Sequence, residues 1–183
     1  MSRIAKENPA FEGQTDENVA ESLLMLGNHE EAMVRMRRAM ASSEAAGLRV
    51  ARARELNFEA QFLASERRLS EALGKLAEAL NETEEVGVYR PWVLRLRGDL
   101  LFQGGAQVSE VETAYRKATE CARAQDNKWY ELQSAIHFAR WLKMQDRVAE
   151  ARGMLAKIYN WFTEGFDTAD LKDAKALLDE LSA

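Results

Sequence analysis

Glu31-Ala32-Met33-Val34-Arg35-Met36-Arg37-Arg38-Ala39 carries the pattern that decides the fold. A glutamate precedes a small or β-branched residue, a large apolar residue follows four positions on, and a further small or apolar residue comes three positions later. The pattern returns as Glu71-Ala72…Leu76…Ala79, Glu110-Val111…Tyr115…Ala118 and Glu150-Ala151…Leu155…Ile158. The first small position advances by 40, 39 and 40 residues (32 to 72, 72 to 111, 111 to 151). Steps of four and three place these side chains on one face of an α-helix. A fixed period of this length marks a repeat architecture.

A second signature lies upstream of each. Ala20, Ala60, Gly98 and Ala139 are followed three positions later by Leu23, Leu63, Leu101 and Leu142. Those leucines precede the downstream small residue by 9, 9, 10 and 9 positions, and the one-residue expansion falls at Gln103-Gly104-Gly105-Ala106. Gly47, Gly87 and Asp126 mark the joins between units as turn residues, glycine because it takes positive φ without a Cβ clash. Each unit therefore reads as two helices: small residues let the axes approach, and the large residue fills the space beside them. One such pair exposes an apolar face, which the next pair covers.

The arrangement resembles the tetratricopeptide repeat (TPR), with Gly27-Asn28-His29-Glu30-Glu31-Ala32 especially close to the turn and second-helix start of that family. There are departures. No Trp stands near the start of the first helix at Asp16, Leu56, Leu94 or Ala135, and Glu59 and Arg97 replace a large apolar residue in the middle units. The period also exceeds the usual 34 residues by about six, which adds roughly 4–5 Å to each helix. The expected fold is all-α: a right-handed α-α superhelix, a TPR-like solenoid of four antiparallel helix pairs plus a C-terminal capping helix. First helices are expected at 16–26, 49–65, 89–103 and 128–144, and second helices at about 30–46, 69–86, 108–125 and 147–163. The repeats then span about 16–47, 48–87, 88–126 and 127–165, with the cap at 167–182. Residues 1–15, with Pro9 and Gly13, read as a flexible tail before a repeat domain over 16–183.

The segment Trp161 to Lys175 has its own logic. Gly165 reads as a helix end, Asp167 or Thr168 as the cap of the next helix, and Asp170 and Asp173 lie near that helix's positive end. Leu171, Ala174, Leu177, Leu178 and Leu181 recur at helical spacing, as a closing helix requires. Trp161 to Leu181 resembles the C-terminus of large bacterial signalling proteins that join a class III adenylate/guanylate cyclase or a kinase to an ATPase and a TPR-like tail. Leu94-Arg95-Leu96-Arg97-Gly98-Asp99-Leu100-Leu101 resembles a recurrent stretch of the same tails. The likeness covers roughly residues 50–183 and concerns the tail alone, which implies a regulatory or adaptor role.

Composition narrows the chemistry. The 183 residues carry a net charge of −5, which argues against a general nucleic-acid binder. The arginine clusters Arg35/Arg37/Arg38, Arg49/Arg52/Arg54 and Arg67/Arg68 are interleaved with acids at helical spacing, as in a solvated ion-paired face. Cys121 is the only cysteine, so no intrachain disulfide forms, and it reads as a buried, inert thiol. Met1 to Lys6 lacks an apolar core and no stretch reaches 18 apolar residues, so a cytoplasmic protein with no membrane segment is expected. Gly74-Lys75 is not a P-loop, and two histidines are too few for a metal cluster without spaced carboxylates. No catalytic constellation, cofactor site or metal site is expected, and His137, among Ala135, Ile136, Phe138 and Ala139, reads as packed or hydrogen-bonded.

The resemblance to TPRs implies that first helices line a concave face. The helix face opposite the small-large stripe supplies Glu17 and Glu21, then Arg54, Asn57, Gln61, Trp92, Arg95, Asp99, Gln133, Arg140 and Lys143. Cations beside amides and one Trp suit an acidic peptide or the acidic end of a protein partner. Glu17 and Glu21 stand where the clamp of chaperone-binding TPRs would need a cation and an amide. The expected function is therefore a non-catalytic protein-interaction module, with a ligand-sensing regulatory domain as the alternative. Self-association through repeat faces is a further mode.

Overall fold

A computed structural model describes residues 9–45, 51–82 and 87–182. Among the described residues the elements are helices: α1 (Pro9–Met25), α2 (His29–Ala45), α3 (Ala51–Ser65), α4 (Leu69–Glu82), α5 (Arg90–Gln103), α6 (Val108–Ala124), α7 (Lys128–Met144), α8 (Val148–Tyr159) and α9 (Ala169–Glu180). They pack as consecutive pairs, α1 with α2, α3 with α4, α5 with α6 and α7 with α8, while α9 packs on α7 and α8. The chain divides into two compact units, Met1–Tyr89 and Arg90–Ala183.

The turns explain why two residue types recur. After each first helix one residue takes a left-handed conformation: Gly27 (φ 77°), Arg67 (62°), Gly105 (70°) and Asp146 (59°). The next amide then donates back to a leucine carbonyl, Asn28 to Leu23, Arg68 to Leu63, Ala106 to Leu101 and Arg147 to Leu142, at 2.9–3.0 Å. This 6→1 bond satisfies a carbonyl that the helix end would otherwise leave bare. The repeating glutamate works from the other side. Glu31 accepts from the Asn28 amide, Glu71 from the Arg68 guanidinium, Glu110 from the Gln107 backbone N–H and Glu150 from the Arg147 guanidinium. Each glutamate thus ties the first turn of the second helix to the residue three before it, where a negative charge also suits the helix dipole.

The small-large stripe forms the core. In the first unit Ala20, Ala32, Met33, Met36 and Ala39 pack with Phe58 of α3. In the second, Val111, Tyr115, Phe138, Trp141, Leu142, Ala151, Leu155 and Ile158 form one cluster with Leu171, Ala174 and Leu177 of α9 and with Leu181, the residue that follows it. Burying such a leucine is worth about 1.5–3 kcal/mol, so three of them hold α9 in place.

Several boundaries differ from expectation. Helix α1 begins at Pro9, so residues 9–15 are helical rather than tail. Proline suits a first turn because the N–H it lacks has no intrahelical acceptor there. Residues 1–8 and Gly47 lie outside the described residues. Helix α8 stops at Tyr159, four residues short. By leaving the helix, the chain turns Phe162 onto the core while Trp161 stays exposed, 5.7 Å from the Lys128 ammonium. Gly165 (φ 76°) therefore serves a turn in the link to α9 instead of ending α8. Thr168 occupies the N-cap position of α9, yet its hydroxyl donates to the Gly165 carbonyl and does not receive an α9 amide.

Candidate functional site

The face expected to receive a partner is, in large part, ion-paired between successive first helices. In the first unit Arg54 of α3 reaches Glu17 at 2.7 Å and Glu21 at 2.9 Å, both on α1, and lies 5.9 Å from the Tyr89 ring. Burial pushes the Glu17 carboxyl above its ordinary range, and the Arg54 charge offsets this only in part. Asn57 is fully buried, a correction to its expected place on an accessible groove. On its own helix it stands between Ala53 and Ala60, themselves buried, so this stripe packs instead of lining a surface. Gln61 is half-buried beside it.

In the second unit the same relation joins α5, α6 and α7. Asp99 accepts from Arg95 Nη1 at 2.8 Å, Tyr115 Oη at 2.7 Å and His137 Nδ1 at 3.0 Å. Burial pushes the Asp99 carboxyl up, but the hydrogen bond and charge of His137, with Arg95 and Tyr115, outweigh it and hold the group below its ordinary range. Burial and then the Asp99 charge push the Tyr115 phenol up. Arg95 Nη1 also stands 3.2 Å from His137 Nε2, while the buried Arg95 Nε has no hydrogen-bond partner. Sequence reading gave His137 a packed or hydrogen-bonded role, and it is hydrogen-bonded. It missed that His137 shares its face with Gln133 and Arg140, four residues before and three after.

The remaining candidates are more open. Trp92 and Gln133 are half-buried. Arg140, 45% exposed, pairs with Asp173, and Lys143, 36% exposed, pairs with Glu180. Those two acids belong to α9, a role the sequence did not single out. Their spacing of seven, two helical turns, was the available signal.

Another polar cluster in the first unit brings Ser65 Oγ within 3.1 Å of His29 Nδ1 and Glu66 within 3.7 Å of the same nitrogen. A nucleophile–base–acid relay needs the two ring nitrogens on different partners, and here both partners face one. The Ser65 hydroxyl also lies 2.6 Å from the Phe62 carbonyl, to which it donates. Among the described residues no group of three His, Cys, Asp or Glu side chains could hold a metal ion, and no helix is long and apolar enough to cross a membrane.

With this geometry in hand, comparison with known proteins places the fold as TPR-like. The chain is similar to a Signal Transduction ATPase with Numerous Domains (STAND) protein with a tetratricopeptide repeat sensor from Pyrococcus horikoshii, at a TM-score of 0.64, 19% identity and 95% coverage of this chain. This chain spans 27% of that protein's length. No family model matches the chain, and no curated protein does.

Proposed function

We propose that this chain is a TPR-like interaction module of a cytoplasmic bacterial signalling assembly, binding a protein or peptide along the first-helix face of α5 and α7. The observation that carries the reading is the accessible part of that face. Trp92, Gln133, His137, Arg140 and Lys143 remain partly exposed on successive first helices, offering cations, an amide and an aromatic ring. Such a mixture suits an extended segment bearing carboxylates. The resemblance of Trp161 to Leu181 to cyclase–ATPase tails supports the signalling context.

Capture from a native extract tests it, using the wild type beside Arg140→Glu plus Lys143→Glu. A specific protein captured by the wild type and lost by the folded double variant supports the face. Equal capture by both would remove it.

A second reading is a ligand-sensing domain that regulates an attached ATPase or cyclase. The name of the similar STAND protein, with its TPR sensor, and the small share of that chain spanned here favour it. Thermal stabilisation by a metabolite, with no protein captured, would decide for this reading.

A further inference from the structure

We propose that Arg140 and Lys143 form a two-point carboxylate site that α9 keeps filled with its own Asp173 and Glu180, so that an acidic partner segment binds by displacing them. The inference rests on the interaction reading above and adds the regulation and the ligand spacing of that face.

A contrast among the ion pairs of the first helices carries it. Arg54 and Arg95 are only 16% and 13% exposed, and each is held by a carboxylate sheltered with it, Glu17 and Asp99. Breaking such a pair strands a largely buried charge, so these arginines are fixed parts of the fold. Arg140 with Asp173 and Lys143 with Glu180 are different, because all four side chains are 36–59% exposed. Water reaches both partners, and an exposed pair contributes little to stability. Helix α9 does not depend on them, since Leu171, Ala174 and Leu177 are buried in the core beneath it. Its acids can therefore let go while the helix stays. What they control is the charge that α7 offers: with both in position, each cation meets its match inside the chain.

The occupant follows from what α9 places there. Asp173 and Glu180 lie seven residues apart, a rise of about 10.5 Å along a helix. A polyproline II segment brings residues three apart onto one face at a rise of about 9 Å. A partner segment with two carboxylates at that spacing thus reproduces both contacts at once. Gln133, two turns before Arg140 on α7, is half-buried and offers its amide to the backbone of such a segment. Acids tethered on the same chain act at a high effective concentration. The internal contact therefore raises the affinity a partner must reach, and a segment with one carboxylate or none fails to displace both acids.

The probe is a hexaglutamate peptide, with hexaglutamine as control, titrated by calorimetry at low salt. The full chain is compared with Asp173→Asn plus Glu180→Gln, which removes both negative charges and keeps the side-chain shapes. That variant should bind hexaglutamate about threefold to tenfold more tightly, the gain expected when two exposed pairs no longer compete. Its urea midpoint should hardly move. Adding Arg140→Gln plus Lys143→Gln should remove the gain. Glu164→Gln plus Asp167→Asn, an equal charge change on the exposed link before α9, should give little of it. A glutamine hexapeptide with two glutamates three apart should bind the neutralised variant more tightly than one with two adjacent glutamates. No gain on neutralising α9, a gain that survives loss of both cations, an equal gain from the link variant, equal affinity for the two spacings, or no hexaglutamate binding by any variant would overturn the proposal. Capture of a native partner through Arg140 and Lys143 that is unchanged on neutralising α9 would sink the displacement and leave the interaction reading standing. The expected hexaglutamate behaviour with no partner captured would remove that reading and leave the site.

Discussion

Gly98 and Tyr115 occupy each other's space: a Cβ on residue 98 would stand 2.8 Å from the Tyr115 ring. The ring cannot easily retreat, because it is stacked 5.7 Å from Phe138 and lies 6.1 Å from Trp141. At the corresponding positions the other three units carry alanine and an unbranched or aliphatic side chain, Ala20 and Met36, Ala60 and Leu76, Ala139 and Leu155. The largest side chain thus meets the smallest partner, and the close approach brings the Tyr115 hydroxyl to Asp99.

Gly98→Ala should destabilise the second unit by about 1–3 kcal/mol, the usual cost of overpacking. Urea unfolding measures it. Adding Tyr115→Leu should recover part of the stability lost through Gly98→Ala, as coupled neighbours do. Strict additivity of the two changes would deny the relationship.

Two other helix-interior glycines should respond in the opposite direction. Gly74 and Gly153 are exposed, and a Cβ built on either meets nothing within 4 Å. Alanine at each should raise stability by about 0.5–1 kcal/mol through helix propensity. A fall in Tm would show that these positions meet something in solution.

Arg67 holds a left-handed backbone, φ 62°, that a side chain disfavours. Arg67→Gly should stabilise the α3–α4 turn by about 1 kcal/mol. The matching change Gly105→Ala, at φ 70° in the α5–α6 turn, should cost a similar amount, read from thermal melts.

Acid should act through Glu112. The Arg147 guanidinium, followed by Arg116, holds its carboxyl down to about 2 from an ordinary 4.5. The folded value is the lower one, so its stabilising contribution is complete above about pH 4.5 and drains away as pH falls toward 2. Its partners Arg147 and Arg116 are 34% and 46% exposed, so screening reduces that contribution to about 1 kcal/mol. Glu112→Gln should cost that much at pH 7 and nearly nothing at pH 2.5. An equal loss at both would exclude the ion pair as the cause.

The ion pairs of the candidate face should separate by burial. Asp99→Ala leaves Arg95 without its carboxylate and should cost about 3–5 kcal/mol. Asp173→Ala frees only the exposed Arg140 and should cost less than about 1 kcal/mol. Denaturant midpoints for the two variants, with unchanged slopes, check the contrast.

The fold was legible because its determinants are local. Glu31, Glu71, Glu110 and Glu150 act within three residues, and Leu23, Leu63, Leu101 and Leu142 accept from an amide five residues on, so a fixed period exposes them. The face was less legible because its residues are defined by the next first helix. Arg54 reads as a free cation until Glu17 and Glu21 are brought across from α1. Asn57 reads as an outward amide until its stripe packs. Arg140 and Lys143 could not be matched to Asp173 and Glu180 while α9 was read only as an apolar cap.

Those pairings also write an order into the array. Acids on α1 answer the base on α3, Asp99 on α5 answers His137 on α7, and α7 in turn offers Arg140 and Lys143 to the acids on α9. A tandem duplication of α7–α8 would set Arg140 and Lys143 against a second copy of their own face, with no Asp173 or Glu180 opposite them. Within the first unit the acids of α1 are thus matched to the base of α3, and within the second each match runs from α5 to α7 and from α7 to α9.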